Sequence, residues 1–331
     1  MTIHKSAPFD SKDYSSESQS YVDEFGRRID NLRISLTQSC CFSCFFCHHE
    51  GENDAGAEMK PEDIERIVKH ASRRGVHHVK LTGGEPLLRT DILDIIRRIS
   101  PLVPDLSMTT NGLFLEDMAL DLKEAGLTRV NVSIHTLDSE IYHRITGSND
   151  LEQVKRGVRN AVDVGLIPVK VNMTILRGYN EDSIGDMMDF ASDMGVTLQI
   201  IELQQIPGDN PPEQKELWVD LGPLEEDLKK RAIKAEKRSM HGRFQYTIPL
   251  DLQRNVVVEI VRPMHNSAFC GDCTRLRVTS DGKLKPCLYR QDNLVQIFSS
   301  EEHLGEKKTI QHAFEQAISR REPFWRDEHR Q

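Results

Sequence analysis

The sequence predicts an α/β protein whose strands and helices alternate to form an open, partial (β/α)6 TIM-like barrel. Three features favour this fold. Helical stretches end in glycine, which readily takes the left-handed conformation just past a helix. A short run rich in β-branched residues follows each glycine, as expected of buried parallel strands. The 331 residues hold six such units, which is two fewer than the eight of a closed barrel.

The composition narrows the possible functions. Hydrophobic residues make up 38% and charged residues 29% of the chain, as in a globular protein. A formal net charge of −9 argues against nucleic-acid binding, which usually needs an excess of Lys and Arg. No apolar run approaches the roughly 20 residues that cross a bilayer, and the amino terminus has no secretory pattern. We therefore expect a cytoplasmic protein with no nucleic-acid or membrane partner.

The predicted elements follow one another in a regular order. Residues 1–23 are polar and rich in Ser, and they predict a flexible tail. We assign residues 24–240 to the barrel core. Its predicted strands are Leu32–Leu36, 76–82, Leu106–Thr110, 127–133, 166–172 and 196–202. Its amphipathic helices include Pro61–Arg74, Thr90–Ile99, Leu151–Val164 and Asp182–Met194.

The carboxyl-terminal region, residues 241–331, differs from the barrel core. It is preceded by a loop rich in Pro and Gly at 206–212 and by a charged helix predicted at Pro223–Lys237. Two strands, Phe244–Ile248 and Val256–Val261, then lead to a second group of cysteines. The region is too small and loop-rich to fold alone. We therefore expect it to form an iron–sulfur subdomain that closes the open side of the barrel.

The seven cysteines occur in two tight groups with none in between. Because secreted proteins spread paired cysteines through their loops, these groups indicate metal sites instead. The first group is Cys40-x3-Cys44-x2-Cys47, directly after the first strand. Three thiolates can hold three irons of a 4Fe–4S cubane, whose full set is four ligands. The open iron suits the amino and carboxylate groups of S-adenosylmethionine, whose sulfonium can take an electron and release a 5′-deoxyadenosyl radical.

The neighbours of the first cysteines leave an alternative open. A zinc site would need a fourth ligand, which His48 or His49 could supply. Cys41 lies between ligands, and we expect a small buried thiol there rather than a ligand. The three phenylalanines between Cys41 and Cys47 are expected to give the loop an apolar shell that excludes water.

Polar motifs mark the later strands. Gly83-Gly84-Glu85 follows the second strand, where the glycines let the backbone approach a ligand and Glu85 adds a carboxylate. Taken singly, such motifs are more often turns or caps. Because barrel active sites form at the carboxyl ends of strands, we expect these groups to converge on one cavity. The other motifs are Thr109-Thr110-Asn111-Gly112, Asn131-Val132-Ser133 and Lys170-Val171-Asn172.

The second group, Cys270-x2-Cys273-x13-Cys287, again offers three thiolates and would leave an iron open. Between its members stand Arg275 and Arg277, which are two residues apart and so share one face of a strand. Planar guanidinium groups there could clamp phosphates or line a purine site. A small zinc knuckle completed by a ligand from elsewhere is the alternative.

With both groups in place, the sequence resembles a family of radical S-adenosylmethionine enzymes, the GTP 3′,8-cyclases of molybdenum cofactor biosynthesis. The family is of the lyase class and converts GTP to (8S)-3′,8-cyclo-7,8-dihydroguanosine 5′-triphosphate, the first step towards molybdopterin. The resemblance runs from about Phe25 to about Phe324, and Phe45-Phe46-Cys47-His48 is most similar to archaeal members. Besides both cysteine groups it rests on Phe25–Arg27, Leu32–Thr37, Thr82–Pro86, Thr109–Gly112, Asn131–Ser133, Lys170–Asn172 and Arg275–Arg277.

The resemblance implies two 4Fe–4S clusters, of which the first binds S-adenosylmethionine and the second touches the guanine of GTP. In the family, the radical removes the ribose C3′ hydrogen and the carbon radical then attacks C8 of guanine. The implied cluster ligands are Cys40, Cys44 and Cys47 for the first and Cys270, Cys273 and Cys287 for the second. Residues implied at S-adenosylmethionine are Phe46, Gly83, Gly84, Glu85, Ser133 and Gln204. Those implied at GTP are Arg33, Lys80, Thr109, Lys170, Arg275, Leu276 and Arg277, with Lys170, Arg275 and Arg277 in catalytic roles.

Two positions depart from the family pattern. Lys80 replaces the usual Arg, which keeps the charge but loses bidentate geometry. The chain ends without the Gly-Gly tail that reaches the active site in many members, so either another segment takes that role or the tail is dispensable. The resemblance further implies GTP as substrate, an electron donor and a downstream cyclic pyranopterin synthase that handles the product. We expect a monomer or a homodimer.

Two other functions stay open at this point. A different radical enzyme with an auxiliary cluster, such as a peptide maturase, usually has more than three carboxyl-terminal cysteines. The pair Arg275 and Arg277 also favours an anionic nucleotide over a peptide. A zinc-stabilised module that binds RNA or protein is disfavoured by the acidic balance and the six-unit barrel.

Overall fold

A computed structural model describes residues 20–52, 56–206, 215–238, 240–298 and 306–326. The strands of these ranges are β1 (Asn31–Ser35), β2 (His78–Thr82), β3 (Asp105–Thr110), β4 (Arg129–Ser133), β5 (Lys170–Ile175), β6 (Thr197–Glu202), β7 (Lys234–Lys237), β8 (Phe244–Pro249), β9 (Asn255–Val261), β10 (Arg275–Val278), β11 (Lys283–Lys285) and β12 (Val295–Gln296). They form one 12-stranded sheet in the order β12-β11-β10-β1-β2-β3-β4-β5-β6-β9-β8-β7. The six strands predicted for the barrel are β1 to β6.

The carboxyl-terminal region extends both edges of the open barrel. β1 to β6 are parallel neighbours. β9 adds a parallel strand beside β6, and β10 adds one beside β1. Residues 262–274, which join β9 to β10, therefore run from one edge of the sheet to the other. This topology confirms the predicted partial barrel with a carboxyl-terminal part across its open side.

Helices alternate along the chain with the strands of the barrel, as predicted. The observed bounds of the predicted helices differ from the predicted ones mainly at the ends. No helix in the described ranges is both long and apolar enough to cross a membrane. The helices are α1 (Pro61–Ser72), α2 (Ile92–Ile99), α3 (Leu115–Ala125), α4 (Ser139–Thr146), α5 (Leu151–Asp163), α6 (Ile184–Met194), α7 (Gly222–Arg231), α8 (Ser267–Gly271) and α9 (Glu306–Ser319).

The prediction of one helix at Pro223–Lys237 is wrong in its second part. The helix α7 ends at Arg231, and Lys234–Lys237 forms the strand β7. β7 pairs antiparallel with β8, so its backbone groups find partners in the sheet. Tertiary pairing therefore overrides the helical preference of these Lys, Ala and Glu residues.

The glycines that mark the predicted helix ends do take the left-handed conformation. After α3, for instance, the Gly126 N–H donates to the carbonyls of Leu122 and Lys123 and so closes the helix. The φ angles are 86° at Gly75, 110° at Gly126, 79° at Gly165 and 67° at Gly195.

The predicted amino-terminal tail, residues 1–23, lies outside the described residues up to position 19. Its last residues are packed rather than free. Tyr21 is buried and stacks on Phe314 of α9, with ring centroids 5.6 Å apart. Asp23 is buried as well. The folded part of the chain therefore includes residues that we assigned to the tail.

Candidate active site

One face of the sheet is polar, and strand register decides which side chains share it. Residues that are register partners on neighbouring strands point to the same face. Arg33 is the partner of Arg277 on one side and of Lys80 on the other, and Asn131 is the partner of Lys170. The alternate residues of these strands are buried and apolar. This polar face, which we call the polar chamber, carries Asn31, Arg33, Lys80, Ser107, Thr109, Asn131, Lys170, Asn172, Gln199, Glu259, Arg275 and Arg277.

The first cysteine loop, residues 40–47, follows β1 and is anchored to α4. The Ser43 N–H donates to the carbonyl of Thr146 at 2.9 Å. The ring of Phe46 meets His135 edge to face, with ring centroids 4.9 Å apart. The phenylalanines that we expected to form an apolar shell thus also fasten the loop to the barrel.

The thiols of this loop accept backbone N–H groups. The Phe42 N–H donates to Cys40 Sγ and the His49 N–H to Cys47 Sγ, each at 3.5 Å. Cys44 is partly buried, and burial raises its pKa to about 12. Hydrogen bonds to sulfur are a usual feature of iron–sulfur ligands. The donor set therefore fits a cubane held by these three cysteines.

Cys41 is exposed, so the prediction of a buried thiol is wrong. The loop lies at the surface here, where Asn111 Nδ2 donates to Cys41 Sγ at 3.1 Å. A hydrogen bond from the Cys41 thiol lowers the pKa of Cys40 to about 6. Cys41 therefore acts on a neighbouring candidate ligand through a hydrogen bond.

The two glycines after β2 face the chain that leads into the first cysteine loop. The Gly84 N–H donates to the carbonyl of Thr37 at 2.7 Å. A Cβ on Gly83 would lie 2.4 Å from that same oxygen, and a Cβ on Gly84 would lie 2.2 Å from the carbonyl oxygen of Ser39. Both values are far below van der Waals contact. The glycines are thus required for the close approach of two backbones.

Glu85 is completely buried and links the ends of β2 and β3. Its carboxylate accepts from Thr110 Oγ1 at 2.8 Å and from the Asn111 N–H at 2.7 Å. Burial raises the pKa of Glu85 to about 7. The carboxylate thus connects the ends of β2 and β3 next to the cysteine loop.

The second cysteine group surrounds one cavity. Cys270 lies on the short helix α8, Cys273 precedes β10 and Cys287 follows β11. The three residues line a solvent-open space of about 580 Å³ together with Arg275 and Arg277. This space, which we call the cysteine cavity, brings together the thiols and guanidinium groups that the sequence separates.

No group of three His, Cys, Asp or Glu side chains within the described ranges is arranged to hold a single metal ion. A cubane makes a different demand, because its irons and sulfides lie between the thiolates and separate them.

The two cysteine groups lie at opposite ends of β1. Cys40 follows its carboxyl end, whereas Thr274, next to Cys273, accepts from the Asn31 N–H at its amino end. Five residues of strand separate the ends by about 16 Å. The second cysteine group therefore lies at the end of the barrel opposite to the first. The candidate polar side chains between them lie along the length of the strands, on the polar face.

Two arginines of the polar chamber share a carboxylate that the sequence did not reveal. Arg277 NH1 donates to Glu50 Oε2 at 2.6 Å, and Arg33 NH1 donates to Glu50 Oε1 at 3.3 Å. Burial alone would raise the pKa of Glu50, but the two guanidinium groups hold it well below its usual value. Arg275 Nε donates to Asn31 Oδ1 at 3.1 Å. Arg33 Nε is buried without a partner among the described residues.

The lysines of the chamber also have internal partners. Lys80 Nζ donates to Asn131 Oδ1 at 2.8 Å. Lys170 Nζ donates to Glu259 Oε1 at 2.5 Å, and Gln199 Nε2 donates to the other oxygen at 2.6 Å. Burial lowers the pKa of Lys170 to about 8. Burial would raise the pKa of Glu259, but the charge of Lys170 brings it down to about 2.

The remaining predicted residues fall into three positions. Thr109 and Ser133 lie on the polar face of β3 and β4. Gln204 follows β6 and lines the cysteine cavity. Leu276 is fully buried between the two arginines on the opposite face, so only its main chain can meet a ligand in the chamber.

Glu50 and Glu259 are the functional candidates that the sequence did not indicate. Glu50 lies in a short turn with no motif of its own, three residues after Cys47. Glu259 interrupts an otherwise apolar strand, Val256–Val261. A charge inside a buried strand is uncommon without a partner, and this was the available signal for Glu259.

Two family models match the chain. The model described as Radical SAM superfamily matches residues 34–191, and the model described as Molybdenum Cofactor Synthesis C matches residues 196–326. The first match begins in β1 and ends in α6. The second begins just before β6 and contains the whole second cysteine group.

Curated relatives are similar over nearly the whole chain. A probable GTP 3′,8-cyclase from Pyrococcus horikoshii is 49% identical over 306 residues, which cover 92% of this chain and 98% of that protein. One from Thermoplasma volcanium is 42% identical over 314 residues, covering 94% and 95%. One from Methanosarcina mazei is 44% identical over 319 residues, covering 94% and 91%.

Solved structures share the fold at low identity. SuiB from Streptococcus suis bound to S-adenosylmethionine superposes with a TM-score of 0.59 at 18% identity, over 78% of this chain and 60% of that chain. The structure of anSMEcpe with bound AdoMet superposes with a TM-score of 0.57 at 15% identity, over 87% and 83%. At these identities the likeness concerns the fold alone.

Proposed function

The chain belongs to the GTP 3′,8-cyclase family of radical S-adenosylmethionine enzymes, and we propose that its polar chamber binds the GTP on which it acts. It converts GTP to (8S)-3′,8-cyclo-7,8-dihydroguanosine 5′-triphosphate, the first step of molybdenum cofactor biosynthesis. One observation carries the assignment to this chamber. Arg277 lines the cysteine cavity and also bonds Glu50, just after the first cysteine loop. Arg277 therefore links the surroundings of the second cysteine group to the turn that follows the first.

Cys40, Cys44 and Cys47 would hold the first 4Fe–4S cluster. Such a cluster would supply the one electron that cleaves S-adenosylmethionine to methionine and the 5′-deoxyadenosyl radical that starts the reaction. The protein fixes the loop through backbone bonds, such as that from Ser43 to Thr146. The residues that we propose for S-adenosylmethionine are Phe46, Gly83, Gly84, Glu85, Ser133 and Gln204. Within this set, Gly83, Gly84 and Glu85 act by holding the loop in place.

We propose that Cys270, Cys273 and Cys287, which line one cavity, would hold a second 4Fe–4S cluster. Two buried arginines donate hydrogen bonds to the backbone of two of these cysteines. Arg27 NH1 donates to the carbonyl of Cys270 at 3.0 Å, and Arg321 NH2 donates to the carbonyl of Cys273. Three thiolates would leave one iron of this cluster without a protein ligand, and that iron would be available to the substrate.

The triphosphate and guanine of GTP meet a surface rich in cations. Arginines bind phosphate through planar pairs of donors, and the buried Arg33 Nε is a donor available to a ligand. Lys170 attracts anions while it is protonated. The residues that we propose for GTP are Arg33, Lys80, Thr109, Lys170, Arg275, Arg277 and the main chain of Leu276, with Lys170, Arg275 and Arg277 closest to the reaction.

The reaction also requires partners outside the chain. We propose an electron donor that reduces the first cluster and a downstream cyclic pyranopterin synthase that receives the product. A cyclised nucleotide must be converted further before it becomes a pterin.

A turnover assay tests the function. Protein reconstituted anaerobically with iron and sulfide, then given dithionite, S-adenosylmethionine and GTP, should yield 5′-deoxyadenosine and an acid-convertible pterin precursor. Iron analysis should give about eight irons per chain, as two cubanes require. Formation of 5′-deoxyadenosine with GTP unchanged would contradict the assignment of the substrate. Bound zinc in place of iron, with no visible absorbance, would contradict the presence of 4Fe–4S clusters.

A further inference from the structure

A short turn after the first cysteine loop places one carboxylate inside the polar chamber. The turn is the 3-10 segment His49–Gly51, and Glu50 at its centre is buried. Glu50 Oε2 accepts from Arg277 NH1 at 2.6 Å. Glu50 Oε1 accepts from Arg33 NH1 at 3.3 Å and from Thr82 Oγ1 at 2.8 Å. One side chain therefore joins β10, β1 and β2.

The position of Glu50 is imposed by the turn. Its φ of 53° lies in the left-handed region, where a residue with a Cβ is strained unless its surroundings hold it. The carbonyl of the next residue, Gly51, accepts from the ammonium of Lys285 and the amide of Gln291. A Cβ on Gly51 would lie 2.6 Å from Lys285 Nζ. These contacts fix the turn from β11 and from the loop that follows it.

The two arginines need a counter-charge where they lie. Arg33 and Arg277 are register partners on neighbouring strands and share one face, so their like charges repel. Glu50 accepts one hydrogen bond from a terminal nitrogen of each guanidinium group. Arg33 Nε is left buried without a partner among the residues described. The carboxylate therefore fixes the pair and leaves donor groups for an anionic ligand.

We propose that Glu50 is a positioning residue that holds Arg33 and Arg277 in the arrangement that receives GTP. The proposal rests on the function proposed above. Glu50 follows Cys47 by three residues, and Arg277 lies between the cysteines of the second group. The contact therefore also sets where the substrate lies relative to both cysteine groups.

The variant Glu50→Gln tests this role, because it keeps the size of the side chain and removes its charge. For the reconstituted holoenzyme without S-adenosylmethionine, we expect the Kd for GTP in equilibrium dialysis to rise about tenfold. In turnover, we expect more 5′-deoxyadenosine per cyclised product, since a displaced substrate meets the radical less often. The iron content should stay that of the wild type.

Glu52→Gln is the matched control. Glu52 lies two residues further along the chain, and its carboxylate accepts from the N–H and hydroxyl of Ser280 at 3.0 and 2.7 Å. It is therefore a second carboxylate of the same segment that bonds a serine in place of the arginines. We expect its Kd for GTP to equal that of the wild type.

The outcomes separate this role from the function itself. A wild-type protein that neither binds nor converts GTP would overturn the proposed function, whatever the variants do. If the wild type converts GTP and Glu50→Gln binds it as tightly or more tightly, the positioning role is wrong. Should Glu50→Gln fail to fold, Glu50→Asp decides, because its shorter side chain cannot reach both arginines. We expect about threefold weaker GTP binding from it, and wild-type affinity would overturn the role.

Discussion

Inside the polar chamber, two buried glutamates form ion pairs with cationic side chains. Glu50 holds Arg33 and Arg277, and Glu259 holds Lys170. An unpaired charge in such a place costs several kcal/mol, so each carboxylate allows its cations to stay charged inside the protein. Burial brings the pKa of Lys170 down to about 8 even with Glu259 beside it. The charge of the chamber therefore depends on pH near neutrality.

We expect GTP binding to weaken as the pH rises through about 8, the folded-state pKa of Lys170. Below that pH the side chain is an ammonium group that attracts phosphate, and above it the neutral amine does not. Equilibrium dialysis with GTP on both sides of this pH measures the effect. In Lys170→Arg the charge persists throughout, because arginine stays protonated, so the dependence should disappear. A dependence that survives in this variant would assign it to another group.

At the scale of elements, the first cysteine loop is held between the end of β2 and the end of α4. On one side the backbones touch through Gly83 and Gly84. On the other side Ser43 bonds Thr146 of α4. We expect the loop to ligate a cluster only if the contacts on both sides are intact.

Replacing Gly84 by Ala should prevent assembly of the first cluster. The new Cβ would lie 2.2 Å from the Ser39 carbonyl oxygen, so the backbone leading to Cys40 must move. We expect the iron content to fall from about eight to about four per chain and the stability to drop by about 1–3 kcal/mol. Gly185→Ala is the control, because an added Cβ on this exposed residue of α6 meets nothing within 4 Å. A full complement of iron in Gly84→Ala would show that the close approach is not required.

At the scale of the whole molecule, a buried charge network joins the two ends of the described chain to the second cysteine group. Asp23 Oδ2 accepts from Arg27 Nε at 2.8 Å and from Arg321 NH1 at 2.5 Å. The same two arginines donate to the carbonyls of Cys270 and Cys273. Asp23 and Arg321 lie 298 positions apart in the sequence. The second cysteine group thus depends on both ends folding together.

Arg321→Ala should therefore unsettle the second cluster and the fold together. Removing one partner from a buried ion pair costs about 3–5 kcal/mol, since Asp23 loses a counter-charge. Urea unfolding should register that loss, and the iron content should fall towards about four per chain. Arg320→Ala is the neighbouring control, because Arg320 is exposed and its guanidinium group donates to the Leu294 carbonyl and not to the buried network. We expect it to change stability by less than about 0.5 kcal/mol.

The sequence alone determined the alternation of six strands and helices and the two groups of three cysteines. These patterns are local, because a helix end at Gly126 or a spacing such as Cys40-x3-Cys44 lies within a few residues. It also determined that Arg275 and Arg277 share one face of a strand, since alternation along a strand fixes the face. The strand Lys234–Lys237 could not be predicted from local patterns, because it is pairing with β8, and not composition, that makes this segment a strand.

Only the tertiary structure decided where the chemistry is assembled. It placed the second cysteine group at the amino end of β1, because β10 pairs with β1 across more than 240 residues of chain. It also brought Glu50 between Arg33 and Arg277, although no motif marks that glutamate. Register and contacts between distant segments are set by packing and charge over the whole molecule. Residue spacing within a motif carries no information about them.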